Sequence, residues 1–219
     1  MRRLAPLVLV LALAGCGGTS EGKGRATLWV TRDRGAHVLL VRTVPAGLTA
    51  MQALAREAKI ETRYGGRYVQ SIEGIEGSLS RRSDWFYFVN GIEADRSAAE
   101  YRLHPGDVEW WDYRSWTKEM RRPVVVGAFP EPFLHGYAGK RRPAVVVGSG
   151  AGARALARVV HGHVSTSAPE GANVLRLVGG APRFTARPRP DGSFEFDFAG
   201  NASRLAGHPS LYRFRYEVP

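Results

Sequence analysis

Trp85-Phe86-Tyr87-Phe88-Val89-Asn90-Gly91 is the stretch on which the fold turns. Five β-favouring residues precede Asn-Gly, the strongest short hairpin signal. Aromatic rings occupy both parities of the run, so both faces of the strand are expected to be covered. Downstream, Leu103-His104-Pro105-Gly106-Asp107 reads as a turn and Val108–Tyr113 as a strand. Upstream, Tyr68–Ile72 is a short strand. Earlier still, Ala26–Thr31 and His37–Val44 form a hairpin around the polar Arg32–Gly35 connection. Between them, Thr49-Ala50-Met51-Gln52 has capping-box spacing. Met51, Leu54, Ala55 and Ala58 follow at i, i+3, i+4 and i+7, which predicts a helix over 49–60 with that face inward. The expected class is α+β: an N-terminal β-grasp domain, in which a curved sheet buries the single apolar stripe of one helix, plus a second small α+β domain.

The segments "GRYVQSIEGIEG", "SDWFYFVNG" and "YRLHPGDVEWWDY" carry a resemblance. Tyr68, Val69, Ser71, Ile72 and Gly74, then Trp85, Tyr87, Asn90 and Gly91, then Gly106, Asp107, Val108 and Trp110 are similar to the transcobalamin C-terminal-like family, also called domain of unknown function 4430. The resemblance spans roughly residues 25–117. It implies a β-grasp fold of the soluble-ligand-binding type and a link to corrinoids. The large helical domain that completes the site in vertebrate cobalamin carriers has no counterpart in this sequence, so ligand identity does not transfer.

The first residues read as an address. Arg2 and Arg3 precede an apolar run, Leu4–Leu13, too short to span a bilayer. Leu13-Ala14-Gly15-Cys16 resembles a bacterial lipobox, which implies removal of residues 1–15 and acylation of Cys16, with diacylglyceryl and palmitate-type chains. Residues 16–24 are then a flexible tether, and the mature chain sits lipid-anchored on the extracytoplasmic face of the cell membrane. A single cysteine excludes an intramolecular disulfide framework and a Cys-cluster metal site.

The chain has 219 residues, 44% of them hydrophobic and 23% charged, which excludes global disorder. Its charge is uneven. Residues 16–116 carry 14 Lys+Arg against 13 Asp+Glu; residues 117–219 carry 15 against 7. All five tryptophans (29, 85, 110, 111 and 116) lie in the first part. Two composition regimes predict two units, residues 25–117 and 118–219. The basic second unit suits acidic envelope polymers or lipid headgroups; nucleic acid is not a partner expected of an exported lipoprotein.

The candidate ligand-binding residues are Tyr64, Tyr68, Trp85, Trp111 and Trp116, with the polar loop Glu73–Asp84 as a gate. Alternation on strand 108–113 sends Trp110 and Trp111 to opposite faces. Trp110 is assigned to the core. Trp111 is assigned to an exposed aromatic surface for a flat ligand, the alternative being cover by the second unit. Asn90-Gly91 and Gly106-Asp107 are assigned to turns.

In the second unit, Ala144–Val147 reads as a strand and Arg154–Val160 as helix-like. Gly148-Ser149-Gly150-Ala151-Gly152-Ala153 between them fits a G-x-G-x-x-A loop, with Glu170 22 residues beyond Gly148. A unit of about 100 residues is too small for a full dinucleotide fold, so the glycines are read as packing devices. His161 and His163 lack a third ligand for a metal. Val174–Val178, Phe194–Phe198 and Tyr212–Val218 read as strands, with Glu195 and Asp197 set to pair with Arg213 and Arg215. No catalytic motif is recognised, no cofactor is implied beyond a corrinoid as candidate ligand, and no enzyme activity is expected. The expected function is binding of a soluble ligand or docking on a membrane uptake system. The alternative is a non-catalytic envelope interaction protein.

Overall fold

The computed structural model describes residues 23–219. The predicted signal segment, Cys16 and the first part of the predicted tether lie outside the described residues. The chain is a mixed α+β protein, mostly sheet with few helices. Its elements run β1 (Arg25–Arg32), β2 (His37–Pro45), α1 (Ala50–Glu57), β3 (Ile60–Arg63), β4 (Tyr68–Ile72), β5 (Ile75–Glu76), β6 (Ser83–Val89), β7 (Ile92–Glu93) and β8 (Val108–Ser115). The second half adds β9 (Ala144–Val147), α2 (Gly150–Val159), β10 (His163–Ser165), β11 (Asn173–Leu177), β12 (Arg183–Pro188), β13 (Phe194–Ala199) and α3 (Ala202–Gly207).

The first sheet has the order β2-β1-β8-β6-β7. The β1–β2 and β6–β7 hairpins form as the sequence predicts. Asn90 and Gly91 both take positive φ, +53° and +76°, as a type I′ turn requires. A parallel β1–β8 pair joins the two hairpins, with Trp29 opposite Trp110. A three-stranded sheet, β3-β4-β5, flanks this one. Helix α1 carries the predicted capping box: Gln52 N donates to Thr49 Oγ1 at 3.1 Å and Thr49 N to Gln52 Oε1 at 2.9 Å. The helix stops at Glu57, three residues short of expectation, because Ala58 is already extended. Its buried side is Ala50, Met51, Ala53 and Leu54, so Ala55 faces solvent rather than the core. A two-turn helix docks through its first turn, which rotates the inward stripe toward Ala53.

The second sheet, β10-β9-β11-β13-β12, is parallel except for the β12–β13 pair. Helix α2 begins at Gly150, four residues before the predicted start. The glycine loop is explained by packing. A side chain at Gly148 would press on Leu177, and one at Gly152 on Ala202 of α3. Residues 212–218 are not the predicted strand. Pro209–Tyr212 is a 3-10 turn, Phe214 takes φ +66°, and Val218 alone bridges to Phe184. The predicted pairing with Arg213 and Arg215 is therefore replaced. Glu195 meets Arg176 at 2.7 Å and Arg187 at 2.9 Å, both from strands of its own sheet.

Four apolar clusters hold the described residues, the smallest being Val145, Val147, Ala172 and Val174 on the outer face of the second sheet. One lies under α1 and draws its buried members from residues 26–111, including Leu28, Leu54, Ile72, Trp85 and Trp111. A second lies in the other sheet, with Leu156, Leu175, Phe184 and Phe196. The third is a seam between them: Trp29, Phe88 and Trp110 against Val125, Ala128 and Tyr216. Strand β6 explains why both its faces are aromatic. Trp85 and Tyr87 belong to the α1 side, and Phe86 and Phe88 to the seam.

Candidate functional site

Two of the five predicted ligand-binding residues meet at one cavity. Tyr64 sits in the β3–β4 turn, where it takes φ +53° ahead of Gly65 and Gly66. Tyr68 opens β4. Their rings meet edge-on, with centroids 6.0 Å apart. Facing them is the predicted loop 73–84. Together they enclose about 670 Å³, lined by Arg63, Gln70, Glu76, Leu79, Arg81 and Asp84 as well as the two tyrosines. That volume falls in the usual range of small-molecule sites, about 300–1,000 Å³.

The loop is built rather than loose. Ile75 and Glu76 form β5 and pair with β4. Ser78 and Ser83 exchange backbone hydrogen bonds at 2.8 and 3.1 Å, and Arg82 N closes the turn on Leu79 O at 3.1 Å. Trp85 Nε1 donates to Ile75 O at 2.8 Å, and Tyr113 Oη donates to Glu76 O at 3.1 Å. These two rings support the loop from below. Gln70 Nε2 donates to Glu76 Oε1 at 3.0 Å and Gly77 O at 3.2 Å, tying cavity wall to cavity floor. Tyr68 Oη donates to Asp84, whose other oxygen accepts from Trp85 N at 2.8 Å. Burial, and then the Asp84 hydrogen bond, push the Tyr68 phenol well above its usual range, so it stays a neutral donor at physiological pH. Tyr64 is 77% exposed and Leu79 85% exposed; both stand at the rim.

The three predicted tryptophans are elsewhere. Trp85, 6% exposed, lies beneath the loop and not in the cavity lining. Trp111 corrects the sequence reading: it is 3% exposed and belongs to the core under α1. It stacks on Tyr87, centroids 4.8 Å apart, and its Nε1 donates to Glu109 Oε1 at 2.6 Å. Alternation did separate Trp110 from Trp111. Both faces of β8 are covered, however, one by α1 and one by the second half of the chain. Trp110, fully buried, belongs to the seam. Trp116 is half-buried beyond the end of β8, and its backbone N donates to Arg82 O at 2.8 Å at the foot of the loop.

The two turn motifs do more than turn. Asn90 Nδ2 donates to Asp107 Oδ1 at 2.8 Å and to Gly136 O at 2.8 Å, while Asn90 Oδ1 accepts from Val108 N at 2.8 Å. The Asn-Gly and Gly-Asp signatures are one buried unit, which also ties down the second half of the chain. Sequence spacing does not show that they meet. Asp112 plays a similar part at the other end of β8, accepting from Thr31 Oγ1 at 2.6 Å, Gly35 N at 3.0 Å, Arg34 N at 3.1 Å and Tyr216 Oη at 2.9 Å. Among the described residues no cluster of His, Cys, Asp or Glu is arranged to hold a metal ion.

Comparison with known proteins places the cavity inside a recognised segment. No curated protein matches the chain. A "putative metal binding protein" from Ruminococcus gnavus ATCC 29149 is 14% identical, over 42% of this chain and 98% of that one, with a TM-score of 0.36. Haptocorrin, solved in complex with Cbi, is 16% identical over 41% of this chain, with a TM-score of 0.34; the match spans 25% of haptocorrin. Residues 47–115, which include Tyr64, Tyr68, Trp85, Trp111 and the loop but neither β1 nor β2, match the family described as domain of unknown function DUF4430.

Proposed function

We propose that this chain is a lipid-anchored, extracytoplasmic, non-catalytic protein whose N-terminal domain, a β-grasp domain over residues 25–117, binds a soluble ligand in the cavity between Tyr64, Tyr68 and the 73–84 loop. The observation that carries the reading is that cavity: the family-matched segment folds so that two predicted tyrosines and the predicted loop line one space of small-molecule size. Its chemistry is mixed. Two phenol rings offer apolar edges, Arg63 and Arg81 offer cationic donors, and Gln70, Glu76 and Asp84 offer acceptors. A ligand with a flat body and many amide groups suits such a lining, and a corrinoid has that form. The lipobox at Leu13–Cys16 supports the anchor.

Titration of the protein with cobinamide and with cobalamin tests the ligand class. Trp85 lies directly under the loop, so a corrinoid in the cavity quenches its emission beyond the inner-filter effect. Tyr64→Ala is expected to weaken binding by roughly 1–3 kcal/mol, the scale of a large aromatic contact. Absence of quenching by both probes at micromolar concentration removes the corrinoid. Function then passes to the basic half of the molecule as an envelope interaction surface.

A further inference from the structure

The described chain begins at one end of β1, and that end of the molecule is basic. Gly24 lies against Pro105, and Gly106 N donates to Arg25 O at 2.8 Å. A side chain at Gly106 would run into the His135 ring, and one at Gly139 into His104. The start of β1, the 103–107 turn and the 135–142 segment therefore form one surface. Six cations stand there: Lys23, Arg25, Arg102, Lys140, Arg141 and Arg142. The arginines are held by carbonyl oxygens rather than carboxylates. Arg25 donates to Thr43 O at 2.9 Å, Arg102 to Gly47 O, Arg141 to Phe133 O at 2.8 Å and His161 O at 2.7 Å, and Arg142 to Gly171 O at 3.3 Å. Their positive charge is thus not cancelled locally.

The acidic groups nearby are engaged, apart from the exposed Glu170 beside Gly171. Asp107 and Glu131 are buried and face His104 and His135. In the neighbouring cleft, Asp95 pairs with Arg96, and Glu93 faces Arg114 and Arg121. Glu100 pairs with Arg67, and Asp191 with Arg189.

We infer that this end is a docking surface for anionic phospholipid headgroups, on which the folded body rests with these six cations toward the membrane. The inference rests on the lipid-anchor reading for its geometry. Six residues separate Cys16 from Lys23, and seven residue steps of about 3.3–3.6 Å hold Lys23 within roughly 25 Å of the anchor. An uncompensated cationic end held that close meets the surface it complements. The orientation has a consequence for the cavity. Strands β1 and β8 run parallel from the tether end. Ser115, the last residue of β8, pairs with Ser83 beside the cavity loop. Eight residues of strand, roughly 25 Å, separate the two ends, so the cavity lies at the end away from the membrane.

The four lysines provide the test, because two lie at each end. Lys23 and Lys140 are at the tether end. Lys59 follows the far end of α1, and Lys118 follows the far end of β8. The fragment 23–219, which retains all four apolar clusters and lacks Cys16, is measured by sedimentation with phosphatidylglycerol–phosphatidylcholine vesicles and with phosphatidylcholine alone. Binding to the anionic vesicles only, lost in high salt, is expected. Lys23→Glu with Lys140→Glu is expected to weaken it at least 25-fold, about fivefold per cation lost. Lys59→Glu with Lys118→Glu makes the same change in net charge and is expected to alter it less than threefold. No binding of the fragment at low salt overturns the inference, as does an equal loss in both double variants. Mass spectrometry of the full chain for acylated Cys16 tests the anchor separately, so a failed anchor and a failed surface give different results.

Discussion

The seam and the cavity rim use aromatic residues in opposite ways. At the seam, Trp110 meets Trp29, Phe88, Phe214 and Tyr216 with centroids 5.6–6.3 Å apart, and Trp29 meets Phe214 at 4.8 Å. Every one of these contacts joins large rings edge-on or tilted, the geometry of a close-packed interior. At the rim, Tyr64 and Leu79 stand in solvent around a polar space, with Tyr68 half-buried beside them. Aromatic density marks where the two halves are joined. The candidate ligand site is marked instead by a sparse pair of rings beside a loop with charged residues. A surplus of rings in a small domain therefore points first to an internal interface and only second to a binding surface.

Removing residues 118–219 is the largest perturbation of this contrast. The fragment 25–117 loses Val125, Ala128, Phe214 and Tyr216 and uncovers Trp29, Phe88 and Trp110, yet keeps every buried member of the cluster under α1. Its melting temperature is expected to fall by more than 10 °C, on the scale of about 4–8 °C per kcal/mol for a domain of this size. Emission should shift red for the seam tryptophans while Trp85 and Trp111 stay blue. An unchanged melt would show that the seam contributes little.

Single rings come next. Trp110→Ala and Trp111→Ala are each expected to cost about 3–5 kcal/mol in denaturant unfolding, because both are buried large rings. The Trp111 result is the sharper one, since a tolerated Trp111→Ala would return that residue to the surface the sequence suggested.

A smaller effect is expected from pH. Glu109 is fully buried; burial raises its carboxyl well above the usual range, and the Trp111 hydrogen bond only partly opposes this. Burial also raises Asp112. In the window between the unfolded and the raised folded values, the folded state binds more protons than the unfolded state, so stability falls as pH rises. The denaturation midpoint is therefore expected to increase from pH 8 to pH 5. Glu109→Gln, which keeps an acceptor for Trp111 Nε1, should flatten that slope and raise the midpoint at pH 8. A Glu109→Gln variant with the parental slope would locate the titration elsewhere.

The smallest effect on stability belongs to the rim. Tyr64→Ala and Leu79→Ser remove exposed side chains and are expected to change unfolding by no more than about 0.5 kcal/mol. Tyr64→Ala should nonetheless lose ligand affinity. A variant that unfolds would turn the rim into a structural feature.

What could be read from residue order alone was local. The Thr49/Gln52 capping box, the Asn90-Gly91 turn, the β1–β2 hairpin and strand β4 follow from short-range sterics and hydrogen bonding, and each forms where the pattern puts it. Tyr64, Tyr68 and the 73–84 loop were also legible as candidates, as rings in excess of a small core and a polar loop, and they lie within 21 residues of one another. What the tertiary structure decided was long-range. Alternation along β8 separates Trp110 from Trp111 but carries no information on what covers each face. That depends on Val125 and Tyr216, the latter more than 100 residues away. The run Tyr212–Val218 alternates like a strand, yet it serves as a strap: Tyr212 packs on Phe184 in the second cluster, and Phe214 and Tyr216 pack on Trp29 and Trp110 in the seam. Period-two patterning reports that alternate side chains have different surroundings; only the assembled fold determines whether those surroundings are one sheet's two faces or two separate cores.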